Sequence, residues 1–61
     1  MFNFNEIIAK IKHNEETIEL MQQNIENGYM IAASQEIIDL TVAENAQLKD
    51  QLAKEGVIFV G

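Results

Sequence analysis

The sequence predicts an all-α fold: an antiparallel helical hairpin whose helices cover about residues 4–26 and 29–55. In each half of the chain, apolar residues recur every three or four positions, the period of an amphipathic helix. Hydrophobic residues make up 48% of the chain, aromatic residues only 7%, and proline is absent. This composition favours long helices over a β-sandwich or barrel. We therefore expect one helical-hairpin domain over residues 1–61.

The first helix is predicted from one continuous apolar stripe. Asn14 fills the vacant heptad position of this stripe, and Asn3 with Glu6 three residues later forms a capping pattern at its start. Gly28 can adopt the left-handed conformation that ends a helix. The stripe consists of Ile7, Ile11, Ile18, Met21 and Ile25.

The second helix repeats the pattern, with an asparagine again at one stripe position. Lys54 and Gly56 are C-terminal signals, because a cation suits the last turn and glycine follows it. The start is open between Tyr29 and Ser34, since Ser34 is a good N-cap while residues 29–33 are also compatible with helix. The stripe consists of Ile31, Ile38, Asn45 and Leu52, seven residues apart, with Val42 and Leu48 between them.

The apolar surface is wider than one helix–helix seam can cover, because Phe4, Ile8, Leu20, Ile37 and Leu40 flank the two stripes. A chain this short buries only about 60% of its unfolded surface, and it has no cysteine for a disulfide. We expect two copies to form a four-helix bundle. The two asparagines either fix its register or lie at the seam edge in water. The predicted dimer seam comprises Ile11, Asn14, Ile18, Met21, Ile25, Ile31, Ile38, Asn45, Leu48 and Leu52.

The C-terminal segment Val57-Ile58-Phe59-Val60-Gly61 is a short, apolar, β-prone tail. Exposed, it would favour aggregation. It folds back on the bundle, pairs with the same tail of another copy, or inserts into a partner, and the last alternative makes Phe59 a contact residue.

Charge and composition limit the partners. The net charge of −6 disfavours nucleic acid and anionic membranes, and it suits a partner protein with a basic patch. The N-terminus lacks a signal-peptide pattern and no stretch is apolar enough to span a membrane, so we expect a cytoplasmic protein. The predicted partner-binding residues are Glu15, Glu16, Glu19, Gln35, Glu36, Asp39 and Phe59.

Catalytic and metal-binding constellations are missing from the sequence. His13 is the only histidine, cysteine is absent, and no glycine-rich phosphate loop occurs. The sequence therefore predicts no cofactor, no metal site and no catalytic residue.

One stretch carries a family resemblance. Ser34-Gln35-Glu36-Ile37-Ile38-Asp39-Leu40 resembles the Ser-Gln-Glu-Leu-Asp signature of the small sporulation-regulatory aspartyl-phosphate phosphatases of Bacillus-like bacteria. The resemblance implies a helical hairpin that dephosphorylates a response regulator, with Gln35 and Glu36 facing the phosphoryl site and water as nucleophile. The signature aspartate, however, is replaced by Ile38, and Asp39 lies one residue further, about 100° around a helix.

The favoured interpretation is a small, acidic, non-enzymatic interaction protein, a homodimeric regulator or inhibitor of a bacterial protein. A chain rich in Ile, Asn, Glu and Lys is typical of AT-rich bacterial genomes and their phages, so a phage-encoded inhibitor of a host enzyme or defence system is one instance. The alternatives are a phosphatase or binder of a phosphorylated response regulator, and a structural oligomerisation module.

Overall fold

The computed structural model describes residues 3–56, which form two helices and no strand. Helix α1 spans Phe4–Glu26 and helix α2 spans Ile31–Lys54. They are antiparallel, since an ion pair of 3.7 Å joins Lys10 near the start of α1 to Glu44 in the second half of α2. The predicted helical hairpin is confirmed, although α2 begins two residues later than predicted. The tail, residues 57–61 with Phe59, lies outside the described residues.

Helix α1 begins and ends with the caps that its sequence predicts. The side-chain oxygen of Asn3 accepts a hydrogen bond from the Glu6 N–H at 3.2 Å. At the other end Gly28 has φ +74°, and its N–H donates to the carbonyl of Ile25 at 3.0 Å. The next N–H, of Tyr29, donates to the carbonyl of Asn24 at 2.8 Å. These two bonds form a Schellman motif, which satisfies carbonyls left free at the helix end.

Helix α2 begins without a side-chain cap. Met30 is its N-cap and has left-handed backbone angles, φ 48° and ψ 49°. The Ser34 N–H donates to the Met30 carbonyl at 2.8 Å, which is the first bond of the helix. The alternative start at Ser34 is therefore wrong: this serine lies within the first turn, and only 1% of it is exposed.

The seam between α1 and α2 within one hairpin follows a heptad repeat, with its residues at positions a and d. All the residues predicted for the dimer seam except Ile31 lie in this seam, inside the hairpin. On α2 the spacing alternates between four and three, and Thr41 rather than Val42 occupies a seam position, because Val42 lies one residue, about 100°, further around the helix. Ile31 is 53% exposed, since the position opposite it falls in the connection, after α1 has ended. The buried or half-buried seam residues are Ile7, Ile11, Asn14, Ile18, Met21 and Ile25 on α1, and Ser34, Ile38, Thr41, Asn45, Leu48 and Leu52 on α2.

The hairpin is a single layer of two helices. Its dimensions are 41 × 20 × 14 Å, and the smallest is close to the ~10–12 Å diameter of one helix with side chains. Among the described hydrophobic residues, only Ile11 and Leu52 are completely buried. The hydrophobic core is thus one narrow line, with a broad face of the layer on either side of it.

Candidate functional site

A buried amide pair joins the two helices in the middle of the seam. The Asn14 Nδ2 donates to Asn45 Oδ1 at 2.8 Å and to Glu44 Oε1 at 2.8 Å. The Asn45 Nδ2 in turn donates to the carbonyl of Ile11 at 3.4 Å, and the Glu44 carboxylate also pairs with Lys10. Asn14 is 8% exposed and Asn45 6%, so the alternative in which they lie at the seam edge in water is wrong.

The amide pair is a structural feature rather than a chemical one. Neutral amides are neither nucleophiles nor acid–base groups at ordinary pH, and these are enclosed between the helices. Every buried side-chain polar atom of residues 3–56 has a hydrogen-bond partner. Because all three hydrogen bonds of the network join α1 to α2, the network favours one alignment of the helices over a shifted one.

One broad face of the layer carries exposed aliphatic side chains. Heptad positions g and c of both helices lie on this face, as the g–g ion pair between Lys10 and Glu44 shows. Leu20 is 55% exposed, Ile37 39% and Leu40 65%. Near the connection between the helices, the residues at the g and c positions are all uncharged. These positions fall within residues 17–24 of α1 and 33–40 of α2. We call this surface the aliphatic face, comprising Thr17, Leu20, Asn24, Ala33, Ile37 and Leu40.

On the opposite face, formed by positions e and b, residues 3–56 line two grooves between the helices. The inner groove, near the connection, has a volume of about 470 Å³, and the outer groove has about 300 Å³. Asp39 adjoins the inner groove, because its carboxylate accepts a hydrogen bond from Gln35 Nε2 at 3.0 Å. The inner groove is lined by Gln22, Ile25, Glu26, Gln35 and Ile38, and the outer by Glu15, Ile18, Val42, Asn45, Ala46 and Lys49. We call this surface the groove face.

The described residues that were predicted to bind a partner are divided between the groove face and the two outer edges of the layer. Glu15 and Gln35 line the grooves, Asp39 adjoins them, and Glu19 occupies a b position on the same face. By contrast, Glu16 and Glu36 are exposed at f positions, directed away from the seam. The acidic run in α1 is thus not one cluster.

Sequence reasoning missed Glu26, which lines the inner groove. Its neighbours Asn27 and Gly28 mark a helix end, so the residue is easily interpreted as part of a cap. The signal that could have found it is its spacing: Glu26 follows Gln22 by four residues and Glu19 by seven, on one side of α1.

The phosphatase-like stretch lies on three sides of α2. Ile38, where the signature has aspartate, is a half-buried seam residue that also lines the inner groove. Gln35 is bonded to Asp39, and Glu36 lies about 100° away from Gln35. His13 is exposed, and its carbonyl accepts a hydrogen bond from the Thr17 hydroxyl at 3.1 Å. In the described part of the chain, no group of three or more His, Asp or Glu residues could hold a metal ion.

No protein-family model, curated protein or solved structure matches this chain. Neither α1 nor α2 is long and apolar enough to cross a membrane.

Proposed function

We propose that this protein is a non-enzymatic protein–protein interaction module that works as a homodimer, with two hairpins packed through their aliphatic faces into a four-helix bundle. The observation that carries the proposal is the exposure of Leu20 and Leu40 among uncharged side chains on one face. Burial of apolar surface contributes about 25 cal/mol per Å². Covering these side chains therefore drives association.

A second copy of the chain is the occupant that best suits this face. In a two-fold dimer each copy presents the same patch, so aliphatic side chains meet aliphatic side chains. Each copy carries a net charge of −6, and like charges oppose association. The aliphatic face lets two such copies pack while their carboxylates stay at the rim and on the outer faces.

The dimer leaves both groove faces directed outward, available to another protein. An interaction module of this kind acts by blocking or bridging, and the favoured role is a regulator or inhibitor of a bacterial protein. The buried amide pair supports a role of this kind, because it keeps the two helices in one alignment and so gives each face a fixed shape.

The test is a pair of matched substitutions on α2. Leu40→Lys places a charge on the aliphatic face, whereas Val42→Lys makes the same change of charge on the groove face, at a side chain that is 51% exposed. Molecular mass is measured by light scattering over a range of concentrations, with far-UV circular dichroism as the control for folding. We expect Leu40→Lys to raise the dimer dissociation constant by about tenfold or more and Val42→Lys to leave it nearly unchanged.

A monomeric Val42→Lys variant beside a dimeric Leu40→Lys variant would contradict the proposed interface. A dimer that forms through the aliphatic face but captures no other protein would support the structural oligomerisation module instead of the regulator.

A further inference from the structure

The two grooves of the groove face follow one another along the seam with a helical repeat, and we call the two together the valley. Ile18 and Ile25 are consecutive a positions of α1, and Asn45 and Ile38 are consecutive a positions of α2. One pair lines each groove, so the grooves are one heptad apart, about 10.5 Å along the layer. An apolar stripe at positions i, i+3, i+4 and i+7 of another helix has the same repeat.

We propose that this valley binds an amphipathic helix of a partner protein, with its aliphatic stripe against Ile25 and Ile38 and with lysine or arginine beside Glu26 and Asp39. This inference names a partner class for the proposed interaction function and rests on it. It uses the face opposite the dimer interface, so the two can succeed or fail separately.

Charge complementarity selects a basic helix. At the inner groove Glu26 forms part of the wall, and Asp39 accepts a hydrogen bond from Gln35, another wall residue. This end of the valley is therefore acidic. At the outer groove Glu15 lies together with Lys49, and their charges offset each other. The partner helix therefore has its basic residues concentrated at the end that lies near the connection between α1 and α2.

Other occupants fit the valley less well. A second copy of this acidic chain would bring carboxylates to an acidic wall, whereas the aliphatic face offers it an uncharged one. Nucleic acid would place its phosphates beside Glu26 and Asp39.

The probe is a fluorescently labelled synthetic peptide of about 18 residues, roughly five helical turns. It has leucine at heptad spacing and lysine on both sides of the leucine stripe. A second peptide has glutamate in place of each lysine, and a third has the same composition with the leucines out of period. Binding is followed by fluorescence anisotropy. The protein variants are Glu26→Lys/Asp39→Lys in the groove and Glu16→Lys/Glu36→Lys outside it, which change the net charge by the same amount.

We expect the in-period lysine peptide to bind the wild-type protein, and the groove variant to weaken this binding by about tenfold or more. The matched variant outside the groove should weaken it by less than about threefold. Raising NaCl from about 50 to about 300 mM should weaken binding, because the Debye length falls. Circular dichroism and light scattering check that each variant keeps its helicity and mass.

The proposal would be overturned if both double variants weakened the binding of the lysine peptide equally, or if the glutamate peptide or the out-of-period peptide bound as tightly as the lysine peptide. It would also be overturned if the lysine peptide did not bind. A lower mass of the groove variant would also overturn it, because a second copy would then occupy the valley. If the lysine peptide binds in the expected pattern to a protein that is monomeric, the homodimer fails and the groove site stands. If the protein is dimeric and no peptide binds, the groove site fails and the homodimer stands.

Discussion

The side-chain amide of Asn14 donates a hydrogen bond of 2.8 Å to the side-chain oxygen of Asn45 across a seam that is otherwise mostly aliphatic. Both groups lose hydration when the helices pack, and the bond compensates for that loss only when the two residues lie opposite each other. A shift of one helix along the other would leave two buried amides without partners. The pair thus contributes more to the uniqueness of the fold than to its stability.

Removing one member of the amide pair should cost more than removing both. Asn45→Leu leaves Asn14 with Glu44 as its remaining partner, and we expect the free energy of unfolding to fall by about 1–3 kcal/mol. In Asn14→Leu/Asn45→Leu both polar groups are gone, and stability should return to the wild-type value or exceed it. Urea unfolding at one fixed protein concentration measures this. A double variant as unstable as the sum of the two single variants would show that the pair itself is not coupled.

Gly28 should tolerate a D-residue but not an L-residue. Its φ of +74° strains an L-residue, yet a Cβ at this position would meet no atom within 4 Å. We expect Gly28→Ala to lower the unfolding free energy by about 1 kcal/mol. D-alanine at the same position, introduced by chemical synthesis, should raise it by several tenths of a kcal/mol, since it restricts the unfolded chain at no cost in strain. Destabilisation by both alanines would mean that the side chain, not the backbone angle, is the cause.

Met30 stores backbone strain at the start of α2. Its left-handed angles cost an L-residue about 1–2 kcal/mol, and glycine avoids this strain while losing about 0.5–1 kcal/mol to chain entropy. We expect Met30→Gly to stabilise the hairpin by a few tenths of a kcal/mol up to about 1 kcal/mol, as measured by thermal unfolding. Met30→Val is the matched contrast and should destabilise, because a β-branched residue fits φ > 0 poorly. If both substitutions changed the unfolding free energy in the same direction, the backbone angles of Met30 would not be strained.

The sequence was sufficient for the fold because its local and periodic signals agree. Asn3 as N-cap, Gly28 after α1 and the heptad stripes, apart from Ile31 and Val42, predicted what the structure has. The possible start of α2 at Ser34 was wrong although serine is a good N-cap residue, because the Schellman motif at Gly28 and the left-handed Met30 reverse the chain earlier. Thr41 was overlooked because it is polar, although its hydroxyl does not prevent its methyl group from packing in a seam.

The candidate surfaces were only partly predictable. Leu20 and Leu40 could be recognised as surplus to the stripe from sequence alone. The split of Glu15 from Glu16 between two sides needs the orientation of α1 about its axis, which only packing against α2 decides. The link between Asp39 and the inner groove depends on the rotamer of Gln35, and periodicity does not give a rotamer.

Salt should act in opposite directions on the two proposed interactions. Two copies that each carry −6 repel one another, so added NaCl should lower the dimer dissociation constant until the charges are screened. A basic helix is attracted to the groove face, so the same salt should weaken that complex. Sedimentation velocity and peptide anisotropy over one salt series measure both. A dimer that weakens as salt rises would show that ion pairs, rather than aliphatic side chains, hold the copies together.

The most direct test of the homodimer is the mass of the wild-type protein by sedimentation equilibrium at several concentrations. We expect a species of twice the 6.9 kDa chain mass that shifts toward the monomer on dilution and in Leu40→Lys. A fully helical, concentration-independent species of 6.9 kDa would contradict it, because the hairpin would then be stable with its aliphatic face in water.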